Sequence, residues 1–155
     1  MSAGAAGFEE LQDLYSKVLR DLARTPIHRG RLENPTAAAR GDNPMCGDRV
    51  DLSLNLAGQV ITEAMFQGRG CEISQASAAL LTELVRGKSP AEARAMGQAV
   101  ARMARGEALD ATSPELDRLA ILSVVKKFPS RVKCATLAWR ALDAALAGVK
   151  ETSSE

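Results

Sequence analysis

The chain has 155 residues, 46% of them hydrophobic, which is enough for one domain with a buried core. A formal net charge of +1 and an aromatic content of 3% exclude a strongly basic nucleic-acid surface and the stacking platforms of single-strand binders. No stretch has the apolar length of a membrane span, and the first residues lack the pattern of a secretory signal. The three cysteines, an odd number, therefore predict a cytoplasmic protein whose thiols bind metal or carry out chemistry.

A helix, a weak strand and a hairpin are predicted in the first half of the chain. Apolar residues at helical spacing indicate a helix over residues 8–23. Residues 31–43 carry few apolar side chains, and we expect extended chain there with at best an edge strand at 36–40. Alternation of apolar and polar residues predicts a strand over 49–56, and a short turn leads to a second strand over 60–66. These two strands form an antiparallel hairpin.

Four helices are predicted after the hairpin. Apolar spacing and helix-stop residues place them at about 71–86, 89–105, 112–125 and 131–147. The second has a clear start, because Ser89 is followed by proline and then by Glu92, the pattern of a capping box. The tail after the last helix is expected to be frayed.

This order of elements predicts an α+β fold. A small antiparallel sheet of about three strands would pack against a layer of helices. We expect a single domain over residues 1–155, with about 1–7 and 149–155 flexible.

The three cysteines lie in unusual surroundings. Cys46 belongs to Asn-Pro-Met-Cys-Gly-Asp, Cys71 follows Gly-Arg-Gly, and Cys134 lies between Lys133 and alanine. Three thiols and the carboxylate of Asp48 provide four donors, the number that a tetrahedral zinc ion requires. Because these residues are far apart in sequence, only a folded domain can bring them together.

Local structure favours this metal site. Cys46 and Asp48 are two residues apart in a segment expected to be extended, so their side chains should share a face. Cys71 and Cys134 are each expected at a helix start, where thiolates are stabilised. The negative charge of such a site needs compensation, which nearby cations provide. These cations are Arg49, Arg69, Arg131 and Lys133.

Simpler interpretations remain open. A single cysteine is most often a small buried hydrophobe, although this fits three cysteines at element boundaries less well. Gly68 and Gly70 are consistent with a simple bend and equally with a close approach to a site. His28, the only histidine, is expected in a loop rather than among the ligands.

Three motifs resemble the SufU branch of the IscU/NifU-N-terminal family of iron–sulfur assembly proteins. They are Asn-Pro-Met-Cys-Gly-Asp at 43–48, Gly-Arg-Gly-Cys-Glu-Ile-Ser-Gln-Ala-Ser at 68–77, and the segment from Lys127 to Trp139 around the third cysteine. The scaffold branch of that family has histidine just before the third cysteine, where this chain has Lys133. A protonated lysine has no lone pair for a metal. The long segment between Gly87 and Lys126 is also similar to SufU.

The resemblance implies a zinc-dependent sulfurtransferase that acts with a SufS-type, pyridoxal-phosphate-dependent cysteine desulfurase. Cys46, Asp48, Cys71 and Cys134 would hold the zinc ion. Docking of the desulfurase would free Cys46, which would accept persulfide sulfur and pass it toward downstream SUF assembly proteins. Our own inference adds Arg131 as a partner for Asp48 or for a freed thiolate.

Two other functions use the same residues. In the first, the protein is a scaffold on which a [2Fe–2S] cluster, or iron, is bound and then transferred. Lys133 argues against this, because Asp48 is then a weak fourth cluster ligand. In the second, the chain is a purely structural zinc domain that serves as an interaction module.

Overall fold

A four-stranded sheet with helices on one face makes up residues 16–153, the part of the chain that this computed structural model describes. Residues 16–24 are helical and are called α1; the rest of the helix expected over 8–23 lies outside the described residues. The strands and remaining helices follow in the order β1 (Ala37–Asn43), β2 (Asp48–Ala57), β3 (Val60–Arg69), α2 (Glu72–Leu84), α3 (Pro90–Ala104), α4 (Pro114–Leu119), α5 (Val132–Leu146) and β4 (Glu151–Ser153). The predicted α+β class is confirmed.

The sheet is mixed rather than purely antiparallel. Its strand order is β3-β2-β1-β4, with antiparallel pairing except between β1 and β4. The predicted hairpin is confirmed as β2 and β3, and its turn at Gly58 lies at the end of β2 opposite to Asp48. The expected edge strand is longer than predicted and is paired on both sides over part of its length.

The fourth strand comes from the tail that was expected to be frayed. Residues 151–153 pair with β1 in parallel, and the Arg40 amide donates to the Lys150 carbonyl at 2.8 Å. The Arg140 guanidinium on α5 also donates to the Ser153 carbonyl at 3.3 Å. This strand is held by tertiary contacts, which no local alternation in the sequence reveals.

The core lies between the sheet and the helices. Alternate residues of β2 point toward the helices and are buried, as the sequence pattern predicts. The helix side contributes mainly leucine and alanine from α2 and α5. No helix within residues 16–153 combines the length and the apolar composition needed to cross a bilayer.

Two helix predictions have different outcomes. The capping box of α3 is confirmed, because the Ser89 hydroxyl accepts from the Glu92 amide and the Glu92 carboxylate accepts from the Ser89 amide, both at 3.1 Å. The single helix predicted over 112–125 is wrong. Only α4 is α-helical, and Ala120–Lys127 is a 3-10 helix. Over eight residues an apolar stripe does not distinguish the two helix types.

Helix α5 approaches the sheet closely at Gly41. A Cβ atom at this position would lie 3.2 Å from Leu137 Cδ1, 3.3 Å from the Leu137 carbonyl oxygen and 3.4 Å from Ala141 Cβ. The absence of a side chain therefore lets α5 lie directly on β1.

We expect Gly41→Val to lower the free energy of unfolding by about 1–3 kcal/mol, because the added methyl groups overpack the contact between β1 and α5. Ala38→Val is the matched control, since Ala38 lies on the same strand but lines an open groove on the other face. Chemical denaturation measures both. Equal stability of the two variants would contradict the tight contact.

Candidate metal centre

The predicted site residues meet at one end of the sheet. Cys46 lies in the loop between β1 and β2, and Asp48 is the first residue of β2. Cys71 is the N-cap of α2, directly after β3, and Cys134 lies in the first turn of α5. Both predicted helix starts are confirmed. One loop, the first residue of β2 and two helix N-termini therefore supply the four predicted donors.

The segment around Cys46 is a turn, not the extended chain that was predicted. Residues 44–47 form turns, and the Asn43 carbonyl accepts from the Cys46 amide at 3.2 Å and from the Gly47 amide at 2.8 Å. This turn leaves Cys46 exposed, while Asp48 is only 2% exposed. The two residues thus differ sharply in accessibility.

Three of the four predicted donors form a tight group. One ligand atom each from Cys46, Asp48 and Cys134 lie within 4.8 Å of one another. Cys134 is buried, so this group has one exposed and two buried members. Such a cluster of two sulfurs and a carboxylate oxygen can hold a metal ion.

Cys71 is outside that mutual group but contacts two of its members. Its backbone N–H donates to Asp48 Oδ1 at 3.1 Å, and its thiol forms a hydrogen bond with Cys134. Cys71 is half-buried. The fourth donor is therefore adjacent to Asp48 and Cys134.

Gly70 makes the contact between α2 and Asp48 possible. A Cβ atom at this position would lie 2.5 Å from Asp48 Oδ1, and the backbone has a φ of +152°. Any other residue would displace the carboxylate and strain the chain. Of the two interpretations of the glycines, close approach to the site applies to Gly70.

The pKa values of the neighbouring thiols Cys71 and Cys134 are shifted in opposite directions. The hydrogen bond with Cys134 lowers the pKa of Cys71 to about 6, and the N–H groups of Ser74 and Ile73 act in the same direction. The same hydrogen bond, with burial, raises the pKa of Cys134. The hydrogen bond therefore favours the thiolate form of Cys71 and the protonated form of Cys134.

Arg131 supplies positive charge to the cluster. The Cys71 thiolate raises the pKa of the exposed Arg131 guanidinium, which also forms a hydrogen bond with that sulfur. This contact is with Cys71, whereas the partners that we inferred were Asp48 and a thiolate freed in the complex. Arg69 Nε donates to the Gly47 carbonyl at 3.3 Å, and Arg49 pairs with Asp51. Arg69 thus contacts the loop between β1 and β2, and Arg49 forms an ion pair within the sheet.

The chemistry of the Asp48 carboxylate is suited to binding a metal ion. Asp48 Oδ1 is used by the Cys71 amide, whereas Oδ2 is buried and makes no hydrogen bond of normal geometry within residues 16–153. A buried carboxylate oxygen is costly unless it is paired or coordinates a cation. Asp48 is therefore oriented by one oxygen and has the other available as a ligand.

A polar contact between α2 and α5 was not predicted from the sequence. The Ser77 hydroxyl on α2 donates to the Ala135 carbonyl on α5 at 2.6 Å and accepts from the Trp139 indole at 3.1 Å. Trp139 is buried, and its indole contacts α2 through this bond. The serine pair after Cys71 was the available signal, and a partner 58 residues away could not be read from it.

Comparisons with known proteins agree with this architecture. The family described as NifU-like N terminal domain matches residues 14–99. The chain is 39% identical over 137 residues to the zinc-dependent sulfurtransferase SufU of Bacillus subtilis, covering 88% of this chain and 92% of that protein. It is 38% identical over 133 residues to the iron–sulfur cluster assembly scaffold protein IscU of Thermotoga maritima, covering 86% and 92%.

The fold is similar to solved structures as well. The crystal structure of an iron–sulfur cluster assembly scaffold protein for the SUF system from Fervidobacterium islandicum superposes with a TM-score of 0.80 at 34% identity, covering 86% of this chain and 96% of that one. The matches extend over nearly the whole chain and include both sequence and fold. The chain therefore belongs to the NifU-like N-terminal domain family of iron–sulfur cluster assembly proteins, together with the SufU and IscU proteins.

Proposed function

We propose that this protein is a zinc-dependent sulfurtransferase that accepts persulfide sulfur on Cys46 from a pyridoxal-phosphate-dependent cysteine desulfurase of the SufS type. The supporting observation is the division of exposure among the four donors. Asp48 and Cys134 are buried and Cys71 is half-buried, whereas Cys46 lies exposed on a turn. Only one sulfur is placed where a protein partner can reach it.

Zinc is the ion that suits the donors best. Cys46, Asp48, Cys71 and Cys134 would supply three thiolates and one carboxylate, four ligands of the kind that zinc prefers. Bound there, zinc would keep the thiolates deprotonated at neutral pH without redox chemistry of its own. The relative in Bacillus subtilis is named a zinc-dependent sulfurtransferase, which supports the same choice.

The transfer itself is a thiol–disulfide exchange. The Cys46 thiolate attacks the outer, sulfane sulfur of the persulfide on the desulfurase cysteine. A new S–S bond forms on Cys46 as the donor's S–S bond breaks, and the donor cysteine leaves as a thiolate. No electrons are gained or lost overall. The turn at 44–47 presents the Cys46 sulfur while the buried donors stay in place.

Arg131 supports this step as a neighbouring cation. It lies beside Cys71, and the charges of Cys134 and Cys46 also act on it. A guanidinium at this place stabilises a thiolate or persulfide anion on the cluster. We therefore assign Arg131 to charge stabilisation rather than to metal binding, since a guanidinium has no lone pair to donate.

A cluster scaffold is the second candidate, because the relative in Thermotoga maritima is named a scaffold protein IscU. The residue before the third cysteine favours the sulfurtransferase. An iron–sulfur cluster prefers four thiolate or imidazole ligands, and Lys133 cannot act as one while it is protonated. The downstream partners would be SUF cluster-assembly proteins in the cytoplasm in either case.

We expect the protein to increase cysteine-dependent sulfide release by a cognate desulfurase, and Cys46→Ser to abolish the increase. The variant loses the nucleophile, so the rate should fall to that of the desulfurase alone. Mass spectrometry of the wild type should find one additional sulfur atom on the Cys46 peptide.

Met45→Ser is the control for this experiment. It changes the exposed side chain next to Cys46 and keeps the thiol, so maximal stimulation at saturating protein should remain. Thermal unfolding shows whether each variant is folded. A folded Cys46→Ser variant that stimulates as well as the wild type would refute transfer through Cys46.

The resident metal separates the two candidates. Protein purified without oxygen should contain stoichiometric zinc and show no visible absorption. Zinc at about 100 times its Kd should add about 2.7 kcal/mol to the free energy of unfolding, so removal by a chelator should lower the Tm. A brown protein with a cluster spectrum and little zinc would support the scaffold instead.

A further inference from the structure

Ser77 connects the two helices that carry Cys71 and Cys134. It is completely buried on α2, and its hydroxyl uses both of its hydrogen-bonding roles. It donates to the Ala135 carbonyl at 2.6 Å and accepts from the Trp139 indole Nε1 at 3.1 Å. Both partners are on α5, so one side chain bridges the two helices twice.

The bridge lies close to the metal donors on both helices. Ala135 immediately follows Cys134, and Ser77 is on the same short helix that begins at the Cys71 N-cap. Trp139 is held from its other side by α3, where a Cβ atom on Gly97 would lie only 3.3 Å from the indole ring. The indole is therefore a fixed donor rather than a mobile one.

Both helices carry several buried alanines, among them Ala76, Ala78 and Ala79 on α2 and Ala138 on α5. A methyl side chain does little to fix the relative position of two helices. A buried hydroxyl and indole, by contrast, are satisfied at only one relative position of the helices.

We propose that Ser77 is a positioning residue that sets the separation of the Cys71 and Cys134 sulfurs for metal binding. The inference rests on the proposed function, since it assumes that both sulfurs hold zinc. Ser77 touches neither sulfur. It acts through the backbone at Ala135 and through Trp139, which fix the first turn of α5 against α2.

Zinc affinity of the full chain tests this role, measured by competition with a chromogenic chelator. We expect Ser77→Ala to weaken zinc binding about tenfold, the lower end of the loss seen when outer support of a metal site is removed. Thr82→Val is the matched control. Thr82 is also buried on α2, but its hydroxyl donates to Ala79 of the same helix, at 2.9 Å.

Cobalt provides a readout that general loss of stability does not change. Co²⁺ bound to the wild type should show the intense visible bands of tetrahedral thiolate coordination, and Ser77→Ala should weaken or shift them. Thr82→Val should leave the bands and the zinc affinity unchanged even if its Tm falls. Ser77→Ala with wild-type affinity and wild-type bands overturns the inference.

Two further outcomes are decisive. If Ser77→Ala loses its helical circular dichroism, Trp139→Phe takes its place, because it removes one of the two bonds and keeps an aromatic ring. Its zinc affinity should fall in the same direction, and an unchanged value overturns the inference. A wild type that binds no zinc overturns the proposed function itself, which separates that failure from one limited to Ser77.

Discussion

The close contact of α5 with β1 at Gly41 determines where the rest of the site lies. Because no side chain intervenes, α5 lies along β1 with its N-terminus at the loop between β1 and β2. Cys134 in the first turn of the helix then comes within 4.8 Å of Asp48 and Cys46. The second helix is placed by Gly70, whose missing side chain lets the Cys71 amide reach the Asp48 carboxylate. The absence of side chains at Gly41 and Gly70 thus allows the N-termini of α5 and α2 to lie next to Asp48.

The site combines a fixed part with an accessible part. Asp48 and Cys134 are buried in the framework of the sheet and helices, and Cys71 is anchored by its amide. Among the four donors, Cys46 alone lies on an exposed turn, where its amide donates to the Asn43 carbonyl. In the proposed sulfur exchange, the reacting sulfur would meet a partner protein while the other donors stay in the framework. The neighbouring Arg131 compensates the negative charge of the sulfurs.

Much of the fold followed from local patterns in the sequence. Alternation predicted the hairpin, the capping box predicted the start of α3, and the surroundings of Cys71 and Cys134 predicted two helix starts. The strand β4 was not predictable, because its three residues have no apolar pattern and pair with β1 only through tertiary contacts. The turn that exposes Cys46 was also missed, since Asn43 closes it by backbone bonds. The bridge at Ser77 required knowing which helices pack together.

The candidate metal centre and the hairpin turn lie at opposite ends of β2. With 10 residues, β2 spans about 33 Å between Asp48 and the turn at Gly58. A side-chain carbon placed on Gly58 would meet no atom within 4 Å, so this corner is unencumbered. Gln59 in the same turn is exposed. The corner is therefore a suitable attachment point for a fluorophore or a surface tether, from which single-molecule encounters at the far end could be followed.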